Sequence, residues 1–167
     1  PQREEAWRDT TIETARDTHA AVIAALSEFE PVLVIADPSQ AGDARKRCPE
    51  ANVEVLPLPI DDSWLRDSGP IIVTGEDGDR AGVDFAFNAW GEAFSPYRND
   101  AAISSRILDH LDIERFIEPM ILEGGSIAVD GEGLLVTTEQ CLLNPNRNPD
   151  LDRHTIDAEL CRALGLE

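Results

Sequence analysis

Apolar and polar residues alternate along the first third of the chain in patterns that predict helices and strands in turn. Residues 9–28 carry apolar side chains at helical spacing, which predicts an amphipathic helix that ends near Pro31. The next run, 32–36, is continuous and rich in β-branched residues, as in a strand covered on both faces. A short helix over 40–47 and a second strand over 53–58 follow. This portion therefore predicts a mixed α/β order.

The middle of the chain predicts a β-hairpin that is linked to a helix. After a loop over 59–67, the pattern indicates strands at about 70–74 and 81–87, joined at an Asp-Gly turn. Asp100 is placed to cap a helix over 101–111, in which apolar residues share one face. We therefore expect the helix to pack against the hairpin.

The last third predicts the same order of elements again. Short strands are expected near 115–118 and 120–123, ahead of a second hairpin. The remaining predicted elements are hairpin strands at about 126–130 and 133–138, a turn-rich loop over 144–149, and a helix over 151–164 stopped by Gly165.

A short segment of the chain occurs twice, at 67–73 and at 123–129. In each copy an acid is followed by Gly two positions on, by Ile four on and by Val six on. Asp67 leads the first copy and Glu123 leads the second. A repeat interval of roughly fifty to sixty residues with mixed elements indicates an α/β repeat array. Because such units need neighbours to bury both faces, two copies indicate an incomplete array.

Length and charge limit the classes of function. The 167 residues suffice for one domain with a substantial core. A formal net charge of −19 would repel a phosphate backbone, so we expect no nucleic-acid partner. Scattered acids are usually a solvated surface, so the inference towards a cationic substrate depends on individual acids. With no apolar run near the roughly 18 residues of a membrane span, and no secretory leader, we expect a cytoplasmic chain without a membrane partner.

The cysteines and histidines offer little chemistry. Cys48, Cys141 and Cys161 lack C-x-x-C spacing, which argues against a disulfide scaffold and a structural zinc site. Cys141 lies in an apolar stretch without an adjacent base, so we expect a buried small side chain rather than a nucleophile. The three histidines all fall in helical patterns. We predict no metal site.

Residues 61–70 gather three carboxylates, an Arg and a Trp ahead of a strand. A guanidinium is planar and always charged, and a carboxylate can pair with it bidentately. An aromatic face can cover its plane, for about 0.5–2 kcal/mol. Trp64 and Asp67 would therefore make half of a guanidinium pocket. The alternative is an exposed turn in which Arg66 pairs with Asp62 and Trp64 fills a gap in the core.

Glu123 is the second candidate, because two glycines follow it and allow close backbone approach at the mouth of a strand. The apolar run 120–122 would hold its carboxylate partly desolvated, for acid/base or cation-binding work. The alternative is a turn acid before a Gly bulge. Asn88 and Trp90 follow the first hairpin and are candidates for the same mouth, with loop packing as the alternative.

Together these elements resemble the agmatine deiminase / bacterial peptidyl-arginine deiminase family, of the pentein fold. The matching stretches are 62–70, 87–91, 122–127, 131–133 and 137–149. The resemblance implies a pentein-type α/β propeller with about two of five repeat blades present. It also implies a single partial domain over 1–167, truncated at both ends. Exposed blade edges would favour self-association.

In this family a Cys attacks the guanidinium carbon, ammonia leaves, and water hydrolyses the covalent amidino-enzyme to a ureido product. The resemblance implies that Asp67 clamps the guanidinium, that Trp64 walls its pocket, and that Glu123 orients a catalytic His. Asn88 and Trp90 would line the substrate site. The implied substrate is agmatine, converted to N-carbamoylputrescine in putrescine and polyamine metabolism, with no metal or organic cofactor.

The family pattern continues with a His-x-Asp stretch and a Gly-rich His-Cys segment that this sequence does not contain. The nucleophile, the general base and the second guanidinium carboxylate would lie in those stretches, while Cys141 matches a non-catalytic position. We therefore expect the 167-residue chain alone not to turn over. Agmatine is favoured because 85–90 holds no Arg that could bind a substrate carboxylate. Peptidyl-arginine deimination and a non-catalytic truncated pentein that binds cationic amines or guanidines are the alternatives.

Overall fold

A computed structural model describes residues 10–166 of the chain. The chain divides into two compact units, the first ending at Ser63 and the second beginning at Trp64. In the described residues each unit contains both helices and strands, as the mixed pattern of the sequence predicts. No helix among them is long and apolar enough to cross a membrane.

The first unit is built from two helices and two parallel strands. Strands β1 (Val32–Ala36) and β2 (Val53–Pro57) pair in parallel. Helix α1 (Ile12–Ser27) precedes β1, and α2 (Ala41–Arg47) connects the two strands. All four elements are confirmed within a few residues of their predicted bounds. Within β1 only Ala36 is fully buried, so the expected cover on both faces is partial.

The second unit contains both predicted hairpins and the helices that follow them. In chain order its elements are α3 (Leu65–Ser68), β3 (Ile71–Thr74), β4 (Arg80–Ala86), α4 (Ala89–Glu92), α5 (Ile103–Leu111), β5 (Glu114–Ile121), β6 (Ile127–Val129), β7 (Leu135–Thr137), α6 (Glu139–Leu142) and α7 (Arg153–Leu164).

The first hairpin belongs to a three-stranded sheet in the order β3-β4-β5. Strands β3 and β4 are antiparallel and turn at Gly78, whose φ of 85° suits the predicted Asp-Gly turn. Helix α5 then returns the chain, so that β5 pairs in parallel with β4. Close packing of α5 depends on Gly82 in β4, because a Cβ there would lie 2.2 Å from a methyl of Leu108. Pro119 lies in β5, an edge strand, which tolerates its missing N–H.

The second hairpin forms a separate two-stranded sheet of β6 and β7. Helix α7 begins after Asp152, whose carboxylate accepts a hydrogen bond from the Thr155 amide at 2.8 Å. It ends at Gly165, which has a φ of 67°, as predicted. The core of this unit joins both sheets to α6 and α7; its buried members are Val83, Phe85, Met120, Leu122, Ile127, Leu142, Ile156 and Leu160.

Three local predictions were wrong. The loop expected over 59–67 contains the start of the one-turn helix α3. The strands expected near 115–118 and 120–123 are one continuous strand up to Ile121. Asp100 does not cap α5: it lies in a 3-10 turn (Asp100–Ala102), and Ala102 is the cap residue. The 3-10 turn starts the helical path one turn earlier, so Asp100 becomes a buried member of it.

Candidate functional site

Asp67 lies on the one-turn helix α3, immediately ahead of β3. Its amide donates to the Trp64 carbonyl at 3.0 Å, which closes the turn. Gly69 lets the chain leave this turn, because a Cβ there would stand 2.6 Å from the Leu65 carbonyl oxygen. The local sequence therefore fixes the carboxylate at the start of a strand.

Two donors hold the Asp67 carboxylate, one on each oxygen. The Gly125 amide donates to Oδ1 at 3.0 Å, and the Trp90 indole Nε1–H donates to Oδ2 at 3.1 Å. A Cβ on Gly125 would lie 2.2 Å from Oδ1, so this contact requires glycine. An ionised carboxylate can accept about four hydrogen bonds, and these two donors occupy two of those positions. The Asp67 carboxylate can therefore still accept hydrogen bonds from a planar donor such as a guanidinium.

Trp90 is positioned by the left-handed segment α4. Ala89, Trp90, Gly91 and Glu92 have φ values of 52°, 58°, 81° and 61°. Residues other than glycine adopt this conformation at a cost of about 1–3 kcal/mol each, and persist in it where the surroundings over-determine them. Asn88 supplies part of that constraint, because its Oδ1 accepts from the Gly91 amide at 2.9 Å.

Aromatic packing fixes the plane of the Trp90 indole. Its ring meets Phe87 edge to face at a centroid distance of 5.3 Å, and it meets Phe94 in the same way at 5.6 Å. Such T-shaped pairs are favoured by the ring quadrupole. The indole N–H is therefore held in one direction, towards Asp67.

The other two residues predicted to bind substrate are Trp64 and Asn88. Trp64 is 52% exposed, so the alternative in which it fills a gap in the core is wrong. Asn88 uses both ends of its amide, because its Nδ2 also donates to the Asn146 carbonyl at 2.9 Å. Asn88 thus ties α4 to the loop over 144–149.

Glu123 is buried, as the apolar run before it predicts, with 3% of the residue exposed. Its Oε1 accepts a hydrogen bond from Nε of Arg147 at 2.6 Å, and the Arg147 side chain is 11% exposed. Sequence reasoning missed Arg147 as a partner. An arginine in a turn-rich loop was the only signal, and a pairing across 24 residues is invisible to helix or strand spacing.

Asn148 docks the loop that carries Arg147. Its side-chain amide donates to the carbonyls of Ile121 and Leu142, at 3.0 and 3.1 Å. Its Oδ1 accepts from the Ile121 amide at 2.9 Å. Asn148 therefore fastens the loop to the end of β5, next to the residues that lead into Glu123.

The two copies of the repeated segment contact each other at this point. Gly125, two residues beyond Glu123, donates to Asp67. Gly124 packs against the residue just before the first copy, because a Cβ there would stand 2.4 Å from the Arg66 carbonyl oxygen. The absence of side chains at Gly124 and Gly125 thus allows the turn that contains Asp67 to approach the backbone of the second copy.

The cysteines lie outside this arrangement in the described residues. Cys141 is half-buried, somewhat more open than predicted, and Thr138 Oγ1 lies 3.7 Å from its sulfur. Burial raises the pKa of the Cys48 thiol, with a contribution from Glu50. Among residues 10–166, no group of three or more His, Cys, Asp or Glu side chains is arranged to hold a metal ion.

The fold and the site define an α/β protein in which two N–H donors fix the Asp67 carboxylate, and in which a second acid, Glu123, is buried. The model of the Porphyromonas-type peptidyl-arginine deiminase family matches residues 1–167. The chain belongs to that family.

Known proteins similar to the chain include agmatine deiminases. That of Pseudomonas fluorescens is 43% identical over 172 residues, which cover all of this chain and 46% of that protein. The structure of the Enterococcus faecalis agmatine deiminase superposes with a TM-score of 0.93 at 33% identity, covering all of this chain and 47% of that one. A C. jejuni agmatine deiminase solved with substrate bound gives a TM-score of 0.84 at 35% identity, covering 93% and 46%. The chain thus spans about half the length of these relatives.

Proposed function

We propose that the chain is the N-terminal portion of an amidine hydrolase that deiminates agmatine to N-carbamoylputrescine and ammonia. The observation that carries this proposal is the pair of hydrogen bonds by which Trp90 and Gly125 fix the Asp67 carboxylate. The similarity to agmatine deiminases over the whole chain supports the same substrate class.

Asp67 is the guanidinium clamp in this proposal. Two N–H donors already hold its carboxylate in one orientation, so binding a guanidinium costs little further conformational entropy. Trp64 is exposed one residue before α3 and can offer its face to the plane of the cation. Trp90 and Asn88 serve the substrate indirectly, by fixing Asp67 and the turn beside it.

Glu123 orients the catalytic histidine in this proposal. That histidine, the Cys nucleophile and the second guanidinium carboxylate would come from the part of family members that this chain does not match. A buried acid with a fixed partner holds its place during a reaction, and that is what an orienting carboxylate requires.

The chemistry would run in two steps. The Cys thiolate forms a bond to the guanidinium carbon, and that carbon then releases ammonia, which takes its proton from the histidine. Water next adds to the amidino carbon while the histidine accepts one proton from that water, the C–S bond breaks, and the ureido product leaves with the thiol and the protonated histidine restored. Asp67 would stabilise the cation through both steps, since its fixed carboxylate faces the charge of the tetrahedral intermediates.

Peptidyl-arginine is the second candidate substrate, because the matching family model carries that description. A substrate carboxylate would call for a nearby cation, and 85–90 supplies none. Arg147 adjoins Gly91, but its guanidinium is paired with Glu123. This observation favours the amine over the carboxylate-bearing substrate.

We further propose that the two hairpin sheets are blades of a five-bladed pentein propeller, and that their open sides associate with further polypeptide. Within the described residues β7 pairs only with β6. A groove of about 1130 Å³ runs along β3 and β5 and is lined in part by exposed Ile72, Phe116 and Ile117. Open strand edges and apolar faces of this kind promote self-association.

Light scattering on the purified chain tests this association. We expect a mass above that of the 18.3 kDa monomer, increasing with protein concentration. A single monomeric species across the concentration range would contradict it.

A hybrid enzyme tests the proposed catalysis, with this chain in place of the matching half of the Enterococcus faecalis agmatine deiminase. We expect the hybrid to release ammonia from agmatine and the 167-residue chain alone to release none. Asp67→Asn in the hybrid should lower kcat/KM by at least about a hundredfold, because the charged clamp is lost. Asp109→Asn, an exposed change on α5, is the matched control and should leave the rate unchanged.

A folded hybrid in which Asp67→Asn retains full activity would refute the clamp. A folded hybrid that binds agmatine without releasing ammonia would instead favour the non-catalytic binding role.

A further inference from the structure

We propose that Arg147 is a positioning residue that couples the buried Glu123 to the guanidinium clamp at Asp67. The inference rests on the proposed function, since it assigns a task within that same site. Three sets of contacts carry it.

The first set lies at Glu123. The Arg147 Nε–H donates to Oε1 at 2.6 Å, and both side chains are nearly excluded from solvent. A carboxylate buried to this extent needs a counter-charge, and removal of one partner leaves the other uncompensated. Arg147 is therefore the group that holds the orienting acid in place.

The second set lies at the other side of the guanidinium. Its Nη1 donates to Asn146 Oδ1 at 2.8 Å. A Cβ on Gly91 would stand 2.4 Å from Arg147 Nη1 and 2.3 Å from Asn146 Nδ2. The guanidinium and the Asn146 amide therefore pack directly on the backbone of Gly91, the residue after Trp90.

The third set closes a ring of contacts. The Trp90 indole links α4 to Asp67 by a hydrogen bond. The Gly125 amide links Asp67 in the same way to the segment that contains Glu123. In order, the members are Asp67, Trp90, Gly91, Arg147, Glu123 and Gly125. Because the ring is closed, we expect a shift of either carboxylate to move the other.

The ring also settles the charge of the site. The Arg147 guanidinium balances the Glu123 carboxylate, so the charge of Asp67 remains for a guest cation.

A second arginine–glutamate pair, in which the carboxylate is buried and the arginine is mostly exposed, provides a control. Arg162 of α7 binds Glu118 of β5, a carboxylate about as buried as Glu123. This pair is not a member of the ring. Arg162→Lys and Arg147→Lys therefore make the same chemical change at two buried carboxylates, only one of which is coupled to Asp67.

Nuclear magnetic resonance of the ¹⁵N-labelled chain tests the coupling. The Trp90 indole N–H signal, assigned by its loss in Trp90→Phe, reports the hydrogen bond to Asp67. The Nε–H signal of Arg147 reports the bond to Glu123. In the ligand-free chain, Arg147→Lys should shift the Trp90 indole signal, whereas Arg162→Lys should leave it in place. Titration of the unsubstituted chain with agmatine should move both reporter signals together, and Arg147→Lys should weaken the apparent affinity by roughly tenfold or more.

An unchanged Trp90 indole signal in folded Arg147→Lys would overturn the inference, as would an equal shift in Arg162→Lys. Should Arg147→Lys fail to fold, the unsubstituted chain decides: agmatine that moves the Trp90 signal and leaves Arg147 Nε–H in place refutes the coupling. Absence of any agmatine response in the unsubstituted chain would refute the proposed function instead, and the ligand-free comparison would still judge Arg147.

Discussion

The position of a single carboxylate, that of Asp67, depends on a glycine amide and an indole from two other segments of the chain. Gly125 approaches so closely that no side chain fits between its backbone and Asp67 Oδ1. Trp90 reaches the other oxygen only because four successive residues wind left-handed. The site thus places backbone strain where a side chain must be held fixed.

Gly125→Ala tests this close approach. The added methyl would force Asp67 to move, and a displacement of about 1 Å costs roughly a hundredfold in rate. We expect kcat/KM of the hybrid enzyme for agmatine to fall by about that factor. The control is Gly75→Ala, whose methyl would meet its nearest neighbour, the Asp79 carbonyl oxygen, at an ordinary 3.8 Å. Equal activity of the two variants would contradict the account of Asp67.

Sequence reasoning located Asp67 and Glu123 because a repeated segment is visible as a pattern. The structure adds that the two copies are in contact, through the hydrogen bond from Gly125 to Asp67. The repeat could not show Arg147 as the partner of Glu123, since loops carry no periodicity that relates distant side chains. Nor could it show that the Trp90 indole points at Asp67, because that direction follows from left-handed backbone angles.

Among the elements, helix α5 packs on strand β4 of the three-stranded sheet β3-β4-β5, which combines an antiparallel pair and a parallel pair. Periodicity predicted both elements because each has one apolar face. The end of α5 nearest Asp100 was predicted less well, since a 3-10 turn and an α-helix offer the same sequence signals there. The short elements α3, α4 and α6 escaped prediction, because four residues are too few to show a period.

Gly82→Ala tests the packing of α5 on β4. Its methyl would lie 2.2 Å from a Leu108 methyl, so the helix must shift. We expect the free energy of unfolding to fall by about 1–3 kcal/mol, as for other overpacked cores. Urea unfolding measures it, with Gly75→Ala in the same unit as the control. A loss no larger than that of the control would show that the interface adapts.

The start of α7 gives a prediction for pH dependence. Hydrogen bonds from the Thr155 amide and hydroxyl lower the pKa of Asp152 below its ordinary value. A carboxyl whose folded pKa lies below the unfolded one stabilises the fold at neutral pH, and that stabilisation is lost as the pH falls through the folded pKa. The difference in stability between the wild type and Asp152→Asn should therefore be largest near pH 7 and shrink below about pH 4. Urea unfolding at pH 7 and pH 3 checks this, with Asp157→Asn on the same helix as the control; a difference that does not change with pH would contradict it.

At the scale of the whole molecule, all the members of the proposed site lie in the second unit, between residues 64 and 148. The relatives that match the chain are about twice as long. The net charge of −19 agrees with a cationic guest, but Asp67 is where the structure offers a prepared carboxylate. The proposed guanidinium site can therefore be tested on this chain by binding, without catalysis.

The Trp90 indole signal during titration of the chain with agmatine tests the central claim most directly. Butylamine, which shares the amine and lacks the guanidinium, is the matched ligand, and a peptide ending in arginine probes the alternative substrate. We predict a saturable shift with agmatine, little response to the other two, and loss of the agmatine response in Asp67→Asn. A butylamine response equal to that of agmatine, or an agmatine response that survives Asp67→Asn, would contradict the assignment of Asp67 as the guanidinium clamp.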